Sequence, residues 1–335
     1  MQWEHVATLP DNFISKPLRQ LLMQDWFMPK HLIYSLKRGQ RVLVNGAYLP
    51  VNFSVHAGDL VALRFVPADF QTPFQDIAPD SAATVDVVYE DDGLLVVNKT
   101  PGSKTHVNQP DEVGATLDHV AAYLAPHGQQ PHMIHRLDQE TSGALIVGKD
   151  PAVVPILVRL IKEKLIQRTY LTWVHGQLQT DHGTISLPIG RDPEDQRKRT
   201  VDGEHPQAAI THYRVIRRTA NATLVAVQLQ TGRTHQIRVH FADLGHPIVG
   251  DPLYATDNQR QRMLLHSWQV KLPLPYTFKT VLVEAPVPDS FTTFEKQTKN
   301  RKTVVALRFF VVIDAANYLM ILIGTSWYHW HALSI

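Results

Sequence analysis

The sequence predicts an α+β fold, with a small α/β unit followed by a large unit built on a mixed sheet. The chain has 335 residues, of which 44% are hydrophobic, enough for one large core and one smaller core. Strand-like and helical patterns interleave without the strict alternation of a doubly wound sheet, which favours an α+β arrangement. A stretch at 66–84 with three prolines and little periodicity predicts a linker between the two units.

Composition excludes several kinds of site. The chain has no cysteine, which excludes disulfides, thiol nucleophiles and cysteine metal ligands. Its formal net charge is only +2, which excludes a uniform basic surface but allows local basic patches. The first residues lack a basic stretch followed by an apolar core, so no secretory signal is predicted. A cytoplasmic location is therefore expected.

The small unit is predicted over residues 1–65. Residues 17–26 have helical spacing, and a second helical pattern at 31–38 ends at Gly39 before a short strand. The dipeptide at 45–46 has the Asn-Gly chemistry of a tight turn. An alternating strand then completes a compact α/β unit.

The large unit is predicted over residues 85–296. The predicted elements are two strands within 85–99, a helix from 115 that stops at Pro126 and Gly128, a strand at 144–149, a helix at 151–167, strands at 168–176 and 183–190, a hairpin at 211–230 around Asn221 and a helix within 231–245. Asp150 is predicted to cap the helix at 151–167, with Pro151 as its first residue. Alternatively, Pro155 in its first turn or two shifts the start of this helix. In the last helix, His235 and Arg238 are predicted to share one face.

The last segment, 297–335, is predicted to be an apolar tail without an assigned role. Its stretch 303–324 is long enough to span a bilayer. Arg308 and Asp314 lie inside that stretch, and each costs roughly 2.5–3.5 kcal/mol at the centre of a membrane. A membrane span is therefore not expected.

Three short polar motifs suggest a cleft assembled from separate parts of the chain. Asp138 lies in a polar run between apolar stretches, Tyr170 opens a strand, and Arg238 lies on a predicted helix after a Thr-Gly turn. Any one of these residues alone fits a purely structural role. Together they indicate an enzyme or a protein that binds a polyanion.

Five motifs within the large unit resemble those of the RluA-type RNA pseudouridine synthases, in the same order and at the expected spacing. They are LLVVNKTPG at 94–102, HRLDQETSGALIVGKD at 135–150, QRTYLTWVHG at 167–176, TGRTHQIRVHFADLGHPIVGDPLY at 231–254 and LLHSWQVKLPLP at 264–275. This resemblance implies the pseudouridine synthase fold, with a mixed, mainly antiparallel sheet flanked by helices around a central cleft. It implies isomerisation of uridines, in ribosomal RNA or alternatively transfer RNA, by a monomer without cofactor or metal.

The resemblance also implies roles for individual residues. Asp138 matches the catalytic aspartate, Tyr170 the tyrosine that stacks on the target base and is a candidate general base, and Arg238 the basic residue that pairs with the aspartate. Arg136 matches the position that enters the RNA helix where the target nucleotide leaves. Further RNA contacts are expected from His135, Arg233, Arg197, Lys198 and Arg199, although the segment 190–201 also fits a solvated surface loop and Arg233 a brace of its turn.

The reaction requires these residue types. It breaks a nitrogen–carbon glycosidic bond and remakes the bond from carbon-5 of the same base, so nothing is oxidised and no group is lost. A carboxylate that attacks the sugar or base, or that helps to deprotonate the sugar, must be ionised. Burial disfavours the ionised form and a neighbouring arginine favours it. The sequence therefore predicts an Asp138–Arg238 ion pair, with Arg136 facing RNA.

Other interpretations stay open. His132 and His135 have a spacing suited to metal ligands, as in a metal-dependent hydrolase, but no third histidine or carboxylate pair is near. A catalytically silent RNA-binding or ribosome-assembly protein on the same fold is a second alternative. The small unit resembles a divergent alpha-L RNA-binding domain at 36–46 and 55–61 and departs from it at 28–35, so it is either an RNA-binding element or a structural brace.

Overall fold

The computed structural model describes residues 3–70, 77–109, 112–256 and 262–298, and three short strands further on. The first unit contains, in chain order, β1 Trp3–Thr8, β2 Lys16–Pro17, α1 Leu18–Gln20 with a π-helical turn at Leu21–Asp25, α2 Lys30–Arg38, β3 Val42–Val44, β4 Ala47–Tyr48, β5 Ser54–Val55 and β6 Leu60–Phe65. Strands pair in the order β1-β6-β3-β4, and β2 pairs with β5. Gly39 ends α2, as the sequence predicts, and Pro29 precedes its first residue.

The first residues of the predicted linker pack on the first unit. Pro67–Asp69 forms a 3₁₀ turn, and the side chain of Asp69 is buried there. The guanidinium of Arg41 donates a hydrogen bond of 2.7 Å to Asp69, and the hydroxyl of Ser35 donates another. Residues 71–76 of the predicted linker lie outside the described residues.

The second unit contains the elements predicted for it and several more. In chain order these are β7 Val87–Glu90, β8 Leu94–Lys99, α3 Thr116–Leu124, β9 His132–Met133, β10 Ser142–Gly148, α4 Val154–Lys162, β11 Gln167–His175, β12 His182–Ser186, β13 Ile189–Arg191, β14 Arg199–Val201, β15 Glu204–Gln207, β16 Ile210–Arg218, β17 Ala222–Leu229, α5 Gln236–Asp243, β18 Leu265–Pro273, β19 Thr280–Glu284 and α6 Asp289–Thr298. The main sheet has the order β12-β16-β17-β11-β18-β10-β8-β7, with β9 on β10 and β19 on β18. Within it only β10 and β18 pair in parallel, which confirms the mixed, mainly antiparallel sheet.

Helices cover both faces of this sheet. On β8, Leu95 and Val97 pack with α3 and α5 on one face, whereas Leu94 and Val96 pack with α4 on the other. This alternation follows from the two-residue period of a strand. The face that α3 and α5 cover also receives Tyr170 from β11, and α6 packs on the opposite face.

A close approach of two backbones fixes where β10 begins. Gly143 has φ +105°, and a Cβ atom there would lie 2.2 Å from the carbonyl oxygen of Ser267 in β18. Only glycine fits both the backbone conformation and the available space. Gly143, within the motif at 135–150, is therefore held directly against β18.

The two units pack against each other. The rings of His5 and Trp26 contact Tyr276, whose centroid is 4.3 Å from that of His5 and 5.9 Å from that of Trp26. Arg159 on α4 donates a hydrogen bond of 2.9 Å to the carbonyl of Met23. These contacts are those expected of a structural brace.

The predicted start of α4 is wrong. The helix begins at Val154, and Asp150 instead accepts a hydrogen bond from the amide of Ala152 in a turn. A helix starting at Pro151 would need the N–H of residue 155 to donate to the carbonyl of residue 151. Pro155 has no N–H, so it fits only in the first turn of the helix.

The apolar tail contains strands among its described residues. The helix α6 continues to Thr298, two residues past the predicted boundary. Further on, β20 Phe310–Ile313, β21 Leu319–Ile323 and β22 Ser326–His329 form an antiparallel sheet in that order. The rest of the predicted tail, including Arg308 and Asp314, lies outside the described residues. Over the described part of the chain, no helix has the length and apolar character that crossing a membrane requires.

Candidate active site

Asp138 lies in the loop between β9 and β10, and 23% of its side chain is exposed. Nη1 of Arg238, which lies a hundred residues later on α5, is 3.3 Å from Oδ2 of Asp138. The guanidinium donates and the carboxylate accepts, so the two groups form a charge-assisted hydrogen bond. The predicted Asp138–Arg238 ion pair is confirmed.

The main partner of Arg238 is a second carboxylate, Asp251, which the sequence analysis missed. Nε and Nη2 of Arg238 donate to the two oxygens of Asp251, at 2.7 and 2.8 Å. The side chain of Asp251 is 0% exposed, and the Arg238 guanidinium lies 5.1 Å from the ring centroid of Tyr254. Burial opposes the charge, but the hydrogen bonds and charge of Asp251 and the charge of Asp138 raise the pKa of Arg238. Arg238 is therefore a permanent cation with one nitrogen directed at Asp138.

His235 also faces Asp138, but not from the helix. It has φ +59° and precedes α5, so the prediction that His235 and Arg238 share a helix face is wrong. Its Nδ1 is 2.9 Å from the hydroxyl of Tyr254, and its Nε2 is 3.9 Å from Oδ2 of Asp138. Burial lowers the pKa of His235, although the charge of Asp138 opposes this, and the neutral ring is favoured.

Tyr170 lies on the same side of the sheet as this group. Tyr170 is 4% exposed and packs in the same core cluster as Leu137 and Ile237, the residues next to Asp138 and Arg238. A bulge between Thr169 and Tyr170 shifts the pairing of β11 with β18 at this point. Such bulges redirect side chains at the edges of functional sites.

A buried lysine holds the loop that follows Asp138. Nζ of Lys99 donates hydrogen bonds of 2.9 Å to the carbonyls of Thr100, Gln139 and Thr141. An ammonium has three N–H donors, so these carbonyls use all of them. Burial lowers the pKa of Lys99 to about 8. The sequence analysis gave Lys99 no role, although a lysine that ends an apolar strand is a recognisable signal.

Comparison with known proteins agrees with this geometry. Residues 93–243 match the family model of RNA pseudouridylate synthase, and residues 5–61 match the RluD ribosomal pseudouridine synthase N-terminal domain. The uncharacterized RNA pseudouridine synthase YhcT of Bacillus subtilis is 35% identical over 279 residues, which is 82% of this chain and 86% of that protein. The chain belongs to the RNA pseudouridine synthase family. It is therefore an isomerase, as the motifs indicated.

Two further relatives agree with that assignment. Ribosomal large subunit pseudouridine synthase D of Nitrosomonas europaea is 31% identical to this synthase, over 88% of this chain and 87% of that protein. The solved structure of human RNA Pseudouridylate Synthase Domain Containing 1 superposes with a TM-score of 0.53 at 25% identity. That superposition covers 67% of this chain and 99% of the human one. The pseudouridine synthase fold is confirmed.

The ring of His135, which the sequence analysis predicted to contact RNA, forms a hydrogen bond within the fold. The amide of Ile146 donates to Nε2 of His135 at 3.1 Å, and Nη1 of Arg168 lies 3.2 Å from its Nδ1. Because an amide can only donate, Nε2 is unprotonated. Burial, then the charge of Arg168, lowers the pKa of His135 to about 3. The ring of His135 therefore supports β10, and its bonded Nε2 is not free to bind the metal of the alternative hydrolase.

The neutral state of His135 predicts acid sensitivity of the fold. Its pKa is about 3 when folded and 6.5 ordinarily, so the unfolded chain takes up a proton below pH 6.5 that the folded one refuses. The contribution of His135 to the free energy of unfolding is fully present above pH 6.5 and is lost as the pH falls towards 3. At pH 5 the loss is roughly 2 kcal/mol. A His135→Gln variant keeps an acceptor for Ile146 but does not titrate. Between pH 7.5 and pH 5, we expect the free energy of unfolding in urea to fall less for this variant than for the wild type.

The control for that comparison is His31→Gln, because His31 is exposed on α2. This variant should follow the wild type at every pH. Equal losses of stability in the wild type and His135→Gln would contradict the neutral state of His135.

The other residues predicted to contact RNA differ in their exposure and in the contacts that they make within the fold. Arg136 is exposed, and its charge adds to burial in lowering the pKa of His106. Arg233 is exposed, and its Nε donates to the carbonyl of Ala208, so it braces its turn. The segment of Arg197, Lys198 and Arg199 contains the β13–β14 hairpin. Arg197 pairs with Asp195 at 2.7 Å, Lys198 is half-buried, and Nη1 of Arg199 donates to the carbonyl of Lys198.

That hairpin is joined to the site. The amide of Arg199 donates to the hydroxyl of Tyr254 at 2.8 Å, and Tyr254 contacts both His235 and the Arg238 guanidinium. Burial raises the pKa of Tyr254 to about 12. Its hydroxyl therefore stays protonated and links the hairpin to α5. Across the described ranges, no group of three or more His, Asp or Glu side chains is placed to hold a metal ion.

Proposed function

We propose that this synthase converts specific uridines of ribosomal RNA to pseudouridine, with Asp138 as the essential catalytic carboxylate. The observation on which the proposal depends is the ion pair of Asp138 with an arginine that cannot lose its charge. Two hydrogen bonds to Asp251 hold that arginine in place, so a positive charge lies beside Asp138 before substrate arrives. A charge positioned in advance favours the ionised carboxylate that the reaction needs.

Tyr170 supports the same proposal. The target base must leave its stack, at a cost of a few kcal/mol. Stacking on an aromatic ring offsets part of that cost, by roughly 1–3 kcal/mol per base. Tyr170 belongs to the same core cluster as Leu137 and Ile237, the residues next to Asp138 and Arg238, which supports placing a stacked base near the carboxylate. We propose this stacking role for Tyr170, and an RNA-facing role for the exposed Arg136.

Ribosomal RNA is the substrate that the relatives support. Relatives of about 31% identity are named ribosomal large subunit pseudouridine synthase D, and the matched N-terminal family is that of the same enzyme. The reaction rearranges one nucleoside without redox change or loss of a group, so the proposal requires no cofactor. A monomeric, cytoplasmic enzyme is part of the proposal.

The alternative of a catalytically silent RNA-binding protein is not favoured. Such a protein needs no carboxylate–arginine pair, yet here two buried contacts from Asp251 hold Arg238 towards Asp138. Burying a charged pair costs free energy unless it is fully hydrogen-bonded. This arrangement favours chemistry at Asp138.

The proposal is tested by mapping pseudouridines in ribosomal and transfer RNA from cells with and without the gene. We expect one or more sites in large-subunit ribosomal RNA to revert to uridine when the gene is deleted, and to return when the wild-type gene is restored. Loss of sites from transfer RNA alone would overturn the ribosomal assignment. Unchanged maps of both RNAs would overturn the function.

A further inference from the structure

The backbone on both sides of Asp138 is held by an earlier segment of the chain. On the C-terminal side, Nζ of Lys99 donates to the carbonyls of Gln139 and Thr141, at 2.9 Å each. On the N-terminal side the contact comes from the side chain of Thr105, which lies in the loop between β8 and α3. The contact of Thr105 has no part in the site as described so far.

A single hydroxyl joins Thr105 to the residue before Asp138. Oγ1 of Thr105 accepts from the amide of Leu137 at 3.1 Å and donates to the carbonyl of Leu137 at 2.9 Å. Both residues are buried, Thr105 with 3% and Leu137 with 5% of its surface exposed. Within the part of the chain that the structure describes, the backbone of Leu137 makes no other hydrogen bond. Since a buried N–H or carbonyl needs a partner, this hydroxyl fixes the backbone of Leu137.

Thr105 is itself held by the first turn of α3. The amide of Leu117 donates to the carbonyl of Thr105 at 3.1 Å, and the amide of Thr116 donates to the carbonyl of Lys104 at 2.8 Å. The first N–H groups of a helix have no acceptor within the helix, so acceptors outside it satisfy them. The start of α3 therefore sets the position from which the Thr105 hydroxyl reaches Leu137.

The carboxylate of Asp138 makes few contacts of its own. Among the described residues it accepts one hydrogen bond, from Nη1 of Arg238 at 3.3 Å. Charge-assisted hydrogen bonds between N–H and carboxylate are usually about 2.7–2.9 Å long, so this contact is a loose one. The location of the carboxylate therefore depends largely on where the backbone at Leu137 and Gln139 places it.

We propose that Thr105 is a positioning residue for the isomerisation, whose hydroxyl fixes the backbone of Leu137 and thereby the carboxylate of Asp138. The proposal rests on the proposed function, since it takes Asp138 as the catalytic carboxylate. A displacement of about 1 Å at a reacting group can lower a rate about 100-fold. Because Thr105 is buried, its hydroxyl acts through Asp138 and not on the RNA.

The test replaces Thr105 with valine, which keeps the branched shape of the side chain and removes the hydroxyl. The amide and the carbonyl of Leu137 then both lose their partner, and the segment must shift to satisfy them. Initial rates of the full-length enzyme are measured against the concentration of total RNA from cells that lack the gene. We expect kcat to fall by about 10- to 100-fold, with KM within about twofold of the wild type.

The matched control is Thr223→Val, which removes a buried hydroxyl with the same two kinds of contact. Oγ1 of Thr223 donates to the carbonyl of Gly176 at 2.9 Å and accepts from the amide of Leu178 at 3.2 Å. Thr223 pairs with Val174, four residues along β11 from Tyr170, which is roughly 13 Å along a strand. Thr223→Val should lose about as much free energy of unfolding in urea as Thr105→Val, but it should keep the kcat of the wild type.

Two further variants separate positioning from folding. Thr105→Ser keeps the hydroxyl and should recover most of the lost kcat. If Thr105→Val does not fold, Thr105→Ala takes its place, because it removes the hydroxyl without adding an apolar group, and the same fall in kcat is expected. A folded variant without the hydroxyl that has the kcat of the wild type would reject the proposal. An equal fall in kcat for Thr223→Val, or no recovery in Thr105→Ser, would reject it as well.

Failure of this proposal and failure of the proposed function give different results when Asp138→Asn is assayed in parallel. An inactive Asp138→Asn enzyme beside a fully active Thr105→Val enzyme rejects the positioning role and leaves the catalytic carboxylate in place. An Asp138→Asn enzyme that keeps its turnover rejects the catalytic role of Asp138, whatever the kcat of Thr105→Val.

Discussion

Replacing Asp138 with asparagine is expected to reduce pseudouridine formation by at least about 10³-fold, the scale on which enzymes lose activity when a residue that acts in the chemistry is removed. Asparagine keeps the size of the side chain and one oxygen that can accept from Arg238, but it has no negative charge. Since Arg238 keeps both hydrogen bonds to Asp251, no buried charge is left unpaired. The measurement is the yield of pseudouridine in ribosomal RNA transcribed without modification.

Two controls separate lost chemistry from lost structure in Asp138→Asn. Its free energy of unfolding in urea should stay within about 1 kcal/mol of the wild type, because Asp138 is partly exposed. Its affinity for the transcript should also be retained. Turnover close to that of the wild type would remove Asp138 from the catalytic role, and global unfolding would show that the carboxylate is structural.

Replacing Asp251 with asparagine is expected to lower kcat by up to about 100-fold, although Asp251 does not face the cleft. The amide oxygen can still accept from the backbone amides of Leu253 and Tyr254, as the carboxylate does now. Arg238 would keep only Asp138 as a charged partner, so its guanidinium should turn towards Asp138 and cover the oxygens that act on the substrate. Kinetics on an RNA transcript should show the loss in kcat with little change in KM.

The matched control is Asp243→Asn, the same change at an exposed position of α5. It should leave kcat and stability unaltered. The more severe Asp251→Ala should lower the free energy of unfolding by about 3–5 kcal/mol, because it leaves the buried charge of Arg238 without its main partner. A normal kcat for Asp251→Asn would show that Asp138 and substrate hold Arg238 in place without Asp251.

The ion pair could be predicted because its two charges lie in motifs that resemble those of a known family, and because a partly buried carboxylate needs a neighbouring cation to stay ionised. The role of Asp251 could not be predicted, because an acidic residue between glycine and proline is typical of an ordinary turn. Only the folded chain brings its carboxylate into contact with Arg238. His135 was assigned to RNA because it lies beside Arg136 in the motif at 135–150. In the structure Arg136 is exposed, whereas His135 is half-buried and its Nε2 accepts from the amide of Ile146, a distant contact that the neighbouring residues do not reveal.

Strand and helix types were predictable from periodicity, but the order of strands was not. Apolar runs such as that of β10 show burial, yet they do not show which strand is the neighbour. The bonds between Ser142 and His266 and between Gly143 and Ser267 join segments more than a hundred residues apart. No local pattern encodes such a pairing, because it depends on the remaining strands being in place.

The parallel pairing of β10 with β18 has a consequence for biosynthesis. The pairing of Gly143 with Ser267 can form only when residues 265–273 have been synthesised. A nascent chain from which Asp138 has already left the ribosome therefore still lacks the strand that supports the site. Contacts so distant along the chain also slow folding. The enzyme should therefore be inert through most of its own translation and gain activity only after residues 265–273 of the 335 have left the ribosome.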